Sequence, residues 1–501
     1  MAAAFVVAAA ATHDLDWPGE VDFFRDMGAS QALLDGAWLA DPGYRGETRW
    51  YSPLVPGLIA AVSVATDVEL PVLYARAGAY LNLLCPLAFY VMVRLLFGPW
   101  VALASLASYL FLGNPERPSY VQATYSPWLW PSNTAQCFFY ATVSAWTIGE
   151  RSKRRLWDVA TGTLLGLTFL AHAAPGLIGA LLVTISCAGA WRRDREGQGA
   201  LALRRLATIG FTAALVSLPF IAPLWLRYGL QVVHSSPLEY VGIAPAKMLA
   251  DCLSLRTAVA AVGGVVLLTG RAGGGAISQR SFALFAWLTL GLLAYGLGAD
   301  RFAWWWHLAP THHFHLYAKA AESVLFGVGL LWLARALADR ASRPALVPAG
   351  VATALLLWIG IGFGPYRTRP DFTVFPDFGR QMETRPAHVG IYAWALRDTA
   401  PDDVIFSDPH TSLYSIASAG RKVVCLPPRF SNPYVDDRAR CDDATTLSGS
   451  LERPDSEAFV QLAAKYGLHY VVAPRARQVN GAALKPVARI EDFVVYRYSA
   501  H

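Results

Sequence analysis

The chain has 501 residues, 54% of them hydrophobic and only 16% charged, with a formal net charge of +6. A soluble protein of this length would divide into several domains with separate cores and polar surfaces, and a mean hydropathy of +0.35 excludes that reading. The basic surplus calls for no nucleic acid, because the arginines and lysines fall in short clusters between apolar runs.

Those runs follow one another up to about Gly364, after which the texture is that of ordinary soluble sequence. A hydrocarbon core roughly 30 Å thick needs about 20 apolar helical residues to cross it. Only helices or closed barrels can cross, because every backbone amide must be satisfied internally. The runs show no strict alternation, so a barrel is excluded.

Met1 to Ala11 is apolar but too short for a full span, and it lacks the basic start of a cleavable signal. It reads as a first helix shortened by start-site choice, or as a short helix dipping into the bilayer. His13 to Ser52 carries eight acidic residues against three arginines. Within it, Asp22 to Leu34 has helical spacing and ends at Asp35-Gly36, which predicts an amphipathic helix along the outer membrane surface with Asp22 at its start.

Spans are predicted near 73–95, 99–112, 133–149, 157–171, 173–191, 203–226, 257–270, 282–297, 316–336 and 346–364, about ten or eleven with the first segment counted. Their short connections hold Arg94; Arg151, Lys153, Arg154 and Arg155; Arg192, Arg193, Arg195, Arg204 and Arg205; Arg271 and Arg280; and Arg335, Arg340 and Arg343. The positive-inside rule makes these cytoplasmic. The alternate connections, 13–52, 113–131, 227–256 and 298–315, are then outside, as is the tail after Pro365.

The tail reads as a small α/β domain from Arg385 onward. Helical periodicity over Val389 to Thr399 precedes a strand at Val404-Ile405-Phe406. Lys422 to Leu426 makes a second strand, Ser456 to Tyr466 a helix stopped by Gly467, and His469 to Val472 a third strand. Val487 to Tyr498 closes the domain as a strand or hairpin. Strands alternating with helices predict a mostly parallel sheet, and no glycine-rich nucleotide fingerprint accompanies it. Cys425 and Cys441 both fall in this outward, oxidising tail, where a disulfide between them and two free thiols are equally open readings. Cys85, Cys137 and Cys187 lie within spans as small apolar residues.

Asp22, the helix closing at Gly36, Asp41-Pro42 and Trp50-Tyr51-Ser52-Pro53-Leu54-Val55-Pro56 together resemble the first outer loop of the GT-C glycosyltransferases. That superfamily uses polyprenyl-phosphate sugars and includes the protein mannosyltransferases and the aminoarabinose transferases of lipid A. Arg94-Leu95-Leu96-Phe97-Gly98-Pro99, the span ending at His172, Ser407-Asp408-Pro409 and the segment Lys465 to Val472 are similar to further parts of the same architecture. The resemblance implies a polytopic α-helical membrane module over residues 1–366, with its first outer loop at 13–52, and an extracytoplasmic α/β domain over 367–501, in a bacterial inner membrane.

It also implies transfer of a sugar from a polyprenyl-phosphate donor to a cell-envelope acceptor, usually with inversion. A carboxylate must accept the acceptor's proton, and cations or a metal must hold the departing phosphate. By resemblance Asp22 is the base, with Asp14, Asp16 and Asp26 as rivals. Spacing alone reads Asp22 as a helix cap, with the other carboxylates solvated. Glu116 is the only acidic residue of Gly113 to Pro118 and stands as the second acid, or as an exposed loop carboxylate. Arg301, His312, His313, Lys319 and His172 are the candidates for substrate contact, and Asp26 joins them. Trp304, Trp305 and Trp306 suit the headgroup belt. His312, His313 and His315 are a weak metal pattern, so no metal ligand is assigned and a divalent metal stays open. Lys319 and Glu322 are charged on a helix entering the membrane, where charge is expensive and usually functional; they stand three apart, close enough to pair. The competing readings are a transporter of lipid-linked glycans, which would place broken or polar helices at the bilayer midplane, and a non-catalytic binder of polyprenyl lipids.

Overall fold

The computed structural model describes residues 1–193, 198–237, 254–270, 284–289, 291, 311–343, 345–477, 479 and 482–499. In chain order the first helices are α1 (Ala2–Thr12), α2 (Asp22–Leu34), α3 (Leu54–Thr66), α4 (Leu70–Leu81), α5 (Leu84–Phe97) and α6 (Pro99–Phe111). There follow α7 (Pro131–Ser152), α8 (Arg155–Ala171), α9 (Ala173–Arg193), α10 (Gln198–Tyr228), α11 (Leu255–Leu268), α12 (Thr311–Arg340) and α13 (Leu346–Arg367). The tail adds α14 (Val374–Glu383), α15 (Pro386–Asp398), α16 (Asp437–Gly449), α17 (Glu457–Tyr466) and strands β1 (Val404–Phe406), β2 (Lys422–Val423), β3 (Leu468–Pro474), β4 (Leu484–Ile490) and β5 (Phe493–Tyr498).

The chain divides into two compact units: Met1–His13, Ala77–Pro219 and Tyr240–Val374 form one, and Asp14–Arg76, Phe220–Glu239 and Phe375–His501 form the other.

The first unit is a helical bundle. Its core runs through Phe89, Tyr109, Phe139, Tyr140, Trp287, Tyr317 and Phe326. Every predicted span meets a helix, apart from 282–297, which lies largely outside the described residues. Among the described residues four helical stretches are long and apolar enough to cross a membrane: Leu70–Phe97, Gly199–Tyr228, Leu316–Arg340 and Leu346–Arg367. The other apolar helices, such as Pro99–Phe111 and Leu255–Leu268, are shorter. α12 begins at Thr311, inside what the charge pattern assigned to an outer loop. It crosses α11 at closest backbone approach: a Cβ on Gly263 would stand 2.0 Å from the Leu325 oxygen, and one on Gly329 would stand 2.1 Å from the Val259 oxygen. Such pairing of small residues lets apolar helices associate where no hydrophobic driving force separates them from lipid.

The second unit gathers α2, α3 and the tail. Its sheet has five strands in the order β2-β1-β3-β5-β4. β1 pairs parallel with β2 and β3, whereas β5 pairs antiparallel with β3 and β4. The sheet is therefore mixed, because the closing segment is a hairpin, and hairpins are antiparallel by construction. Cys425 and Cys441, whose pairing the sequence left open, form a disulfide across a 16-residue separation between β2 and α16.

α2 corrects one expectation. A helix lying along a membrane surface would bury one face only, yet Phe23, Phe24, Asp26, Met27, Gly28, Ala29, Ser30 and Ala32 are all buried. The cause is Gly28, where a Cβ would stand 2.1 Å from the Ala417 carbonyl oxygen. The segment from Pro409 to Ala417 therefore presses directly on the α2 backbone. The loop after α2 is tied down as well: Asp41 accepts from the Gly43 and Tyr44 N–H groups at 2.8 and 2.9 Å and from Asn432 Nδ2 at 2.9 Å. The Val423 N–H donates to the Gly43 carbonyl at 2.7 Å, and Arg421 pairs with Asp35 at 2.7 Å.

Candidate active site

In the second unit, Asp22 is the first residue of α2. The cap position is Val21, which makes no side-chain cap bond. Instead the Glu20 carboxylate reaches forward and accepts from the Asp22 N–H at 2.8 Å, which satisfies a donor that a helix start leaves orphaned. Asp22 is thereby relieved of the capping role. It is half-buried, and among the described residues its carboxylate makes neither a hydrogen bond nor an ion pair.

The rivals are committed elsewhere. Asp14 stands 3.5 Å from Arg380, and Asp16 is 2.6 Å from Arg76. Asp26 is fully buried, with Oδ1 accepting from Arg25 Nε at 2.8 Å. Burial pushes the Asp26 carboxyl up, and the adjacent Arg25 charge pulls it back. Arg25 in turn lies 3.6 Å above the centre of the Tyr51 ring, which joins the Trp50-Tyr51-Ser52 motif to α2.

Glu20 is the residue to which sequence reasoning gave no role. Burial, then the neighbouring Asp22 charge, pushes its carboxyl up to about 8, against a weaker pull from the Asp22 N–H, Arg25 and Arg429. It therefore holds its proton at neutral pH beside the uncommitted Asp22. Its position two residues before a helix-starting aspartate was the available signal, since a carboxyl there meets both the free N–H groups and its neighbour's charge.

In the first unit the structure brings together His172 and His313, from segments far apart in sequence. Their rings stack at 4.2 Å between centres and 29° between planes. His172 ends α8 in extended conformation, and its Nδ1 accepts from the Ala174 N–H at 3.3 Å, so the neutral ring carries its proton on Nε2. His313 lies in the first turn of α12. One turn on, the Tyr317 hydroxyl donates to the Ser132 carbonyl at 2.8 Å. Lys319 is buried on the same helix. Glu322 is held by Arg256 at 2.5 Å and by the Thr257 hydroxyl at 2.7 Å, both from α11.

Glu116 is exposed, in a turn whose Asn114 Oδ1 accepts its N–H at 2.9 Å. The buried acid of that region is instead Asp371, whose oxygens accept from the Ser119 N–H at 2.9 Å and from the Ser119 hydroxyl. The backbone of His312 belongs to α12, while Arg301 and the side chain of His312 lie outside the described residues. Among the described residues, no group of three or more His, Cys, Asp or Glu stands together as a metal site.

No protein-family model matches the sequence, and no curated protein matches it. Solved structures do. The chain is similar to ArnT from Cupriavidus metallidurans bound to undecaprenyl phosphate, with a TM-score of 0.55 at 12% identity over 100% of this chain and 97% of that one. The apo state of the same protein gives 0.54 at 14% identity, over 99% and 96%. The archaeal oligosaccharyltransferase AglB from Archaeoglobus fulgidus, in complex with an inhibitory peptide and a dolichol-phosphate, gives 0.53 at 14% identity over 94% and 69%. With this architecture shared along its whole length, the chain has the GT-C fold.

Proposed function

We propose that the protein is a membrane glycosyltransferase that moves a sugar from a polyprenyl-phosphate donor to an acceptor outside the bacterial plasma membrane. The observation that carries this reading is Asp22: a half-buried carboxylate at a helix start, with its capping duty taken by Glu20 and its own oxygens uncommitted among the described residues. The fold shared with ArnT and AglB, whose structures hold undecaprenyl phosphate and a dolichol-phosphate, supports the donor class.

In this reading the acceptor's hydroxyl or amine attacks the anomeric carbon as Asp22 takes its proton. The bond from that carbon to the phosphate oxygen breaks, its electron pair leaves with the lipid phosphate, and the configuration inverts. General-base assistance of this kind contributes roughly 10²–10⁴-fold. Lys319, His172 and His313, with Arg301 and His312, are proposed as contacts to the lipid-linked substrate. Asp26 positions Arg25 rather than substrate, and Glu116 is the weaker candidate for the second acid because it is exposed. The first loop and the tail face the cell exterior.

The test is transfer from a panel of radiolabelled polyprenyl-phosphate sugars by the purified protein, comparing wild type with Asp22→Asn. The expected result is loss of transfer by about 10²-fold or more, with thermal stability and lipid binding unchanged. Equal activity in the variant removes Asp22 as base. Lipid binding without turnover of any donor by the wild type replaces the transferase reading with a transporter or binding protein.

A further inference from the structure

Beside α2 the tail presents a face that the proposed chemistry has not used. Tyr414 is half-exposed, and the edge-on ring of Phe24 holds it at 4.9 Å and 89°. Its aromatic plane is therefore pinned to the helix that carries Asp22. His410 is exposed and lies parallel to it, 9° between planes with centres 6.3 Å apart. His388 stands at 5.9 Å, its Nδ1 3.1 Å from the Ser415 hydroxyl. Burial, then Arg385, holds the His388 imidazole below its ordinary range, so at neutral pH it offers a hydrogen bond and no charge.

Two basic side chains flank this face. Arg385 and Arg429 are both exposed, and among the described residues neither guanidinium has a carboxylate partner. Arg385 acts electrostatically on Tyr414 and His388, and Arg429 acts on Glu20, which in turn acts on Tyr414. Two nearby carboxylates oppose these arginines, Asp408, whose Oδ1 accepts from the His410 and Thr411 N–H groups, and Asp22, the proposed base, while Glu20 holds its proton at neutral pH. An aromatic plane flanked by hydrogen-bonding imidazoles suits the apolar face and hydroxyl edge of a sugar ring. Two exposed guanidinium groups without an ion-pair partner among the described residues, which fork onto carboxylate and phosphate oxygens, suit a negative substituent on that ring.

We propose that Tyr414, His410 and His388, flanked by Arg385 and Arg429, form the subsite that receives the acceptor, and that the acceptor is a sugar bearing a carboxylate or a phosphate. This rests on Asp22 being the base, because the subsite is the acceptor's only if the proton leaves there.

The experiment is calorimetric titration of the full-length protein in detergent with three probes: trigalacturonate, glucose 6-phosphate and neutral maltotriose. At least one anionic probe should bind saturably and at least tenfold tighter than maltotriose, and binding should weaken with added salt. The anion preferred separates the carboxylate source from the phosphate source. Arg385→Gln/Arg429→Gln should lose that preference, while Asp22→Asn should bind at least as well as wild type. Equal binding of all three probes, no saturable binding, or an unchanged double variant overturns the subsite. The readout needs no turnover, so the two proposals fail separately. Binding without transfer sinks the transferase reading, and Asp22-dependent transfer without anion-selective binding sinks the subsite.

Discussion

Gly28→Ala puts a methyl group where no neighbour can yield. The new Cβ would stand 2.1 Å from the Ala417 oxygen, 3.0 Å from its carbonyl carbon and 3.5 Å from the Ser418 Cα, all backbone atoms. An ordinary carbon–oxygen contact needs about 3.3 Å, so α2 and the 409–417 segment must part by roughly 1.2 Å. In an exposed helix the same substitution would stabilise by about 1 kcal/mol through backbone entropy. Overpacking that cannot relax by a side-chain turn costs about 1–3 kcal/mol and occasionally more. The parting also loosens the Phe24–Tyr414 contact. A backbone clash of this depth belongs at the upper end of that range, so the expected net loss is about 2 kcal/mol, which lowers Tm by roughly 4–8 °C for a unit of this size. Thermal unfolding of the purified chain, followed by tryptophan fluorescence, measures it. Gly57→Ala in α3 is the control, since its Cβ meets only the Leu33 Cδ1 at 3.9 Å, and it should be neutral or stabilising. A Gly28→Ala protein that melts at or above the wild-type temperature would refute the close packing of α2 against Ala417.

Asp41→Ala leaves the Gly43 and Tyr44 N–H groups without their acceptor and Asn432 Nδ2 with the Thr48 carbonyl alone; at about 1–3 kcal/mol for each orphaned buried donor, urea unfolding should show a loss of about 2 kcal/mol or more. Cys441→Ser opens the disulfide across its 16-residue separation, which the chain-entropy account values at about 3 kcal/mol; the variant should melt lower, and reductant should then have no further effect. Gly329→Leu drives a side chain into the Val259 carbonyl and should part α11 from α12, seen as loss of monodisperse protein in size-exclusion chromatography. Glu20 ionises near 4.5 in the unfolded chain and near 8 in the folded one, so unfolding releases a proton between those values. The stabilisation it gives is complete below about pH 4.5 and is lost progressively up to about pH 8; Glu20→Gln should flatten that part of the stability–pH curve.

Much of this was legible because apolar length and helical spacing are local signals. The start and end of α2 follow from the periodicity of Asp22 to Leu34, and Gly467 stops α17 in the left-handed conformation that glycine adopts most easily. The tail's strands follow from short β-branched runs. What was not legible is non-local. Nothing around Gly28 in sequence announces Ala417, so a helix that looked fit for a membrane surface turned out to be buried on nearly every side. α3 and α16 were missed: α3 because its apolar run is shorter than a span, α16 because its polar sequence carries little hydrophobic periodicity. The candidate site divides the same way. Asp22 is visible in its motif, and its freedom from capping duty depends on where the Glu20 carboxylate turns. His172 and His313 were singled out separately, and only folding stacks their rings.

The tie between the first loop and the tail has a cost in time. Asp14–Arg76 shares its compact unit with Phe375–His501, through bonds such as Val423 to Gly43 and Asn432 to Asp41. During synthesis at about 5–20 residues per second, the loop leaves the ribosome roughly 15–60 s before the segments that will clasp it. Through that interval Phe23, Phe24 and Met27 have no lasting cover, and the helix that presents Asp22 cannot settle. Maturation of the site is therefore a late event, governed by delivery of the tail and closure of the Cys425–Cys441 bond, and a chain that stops short of the tail leaves its own first loop as a sticky, protease-sensitive strand.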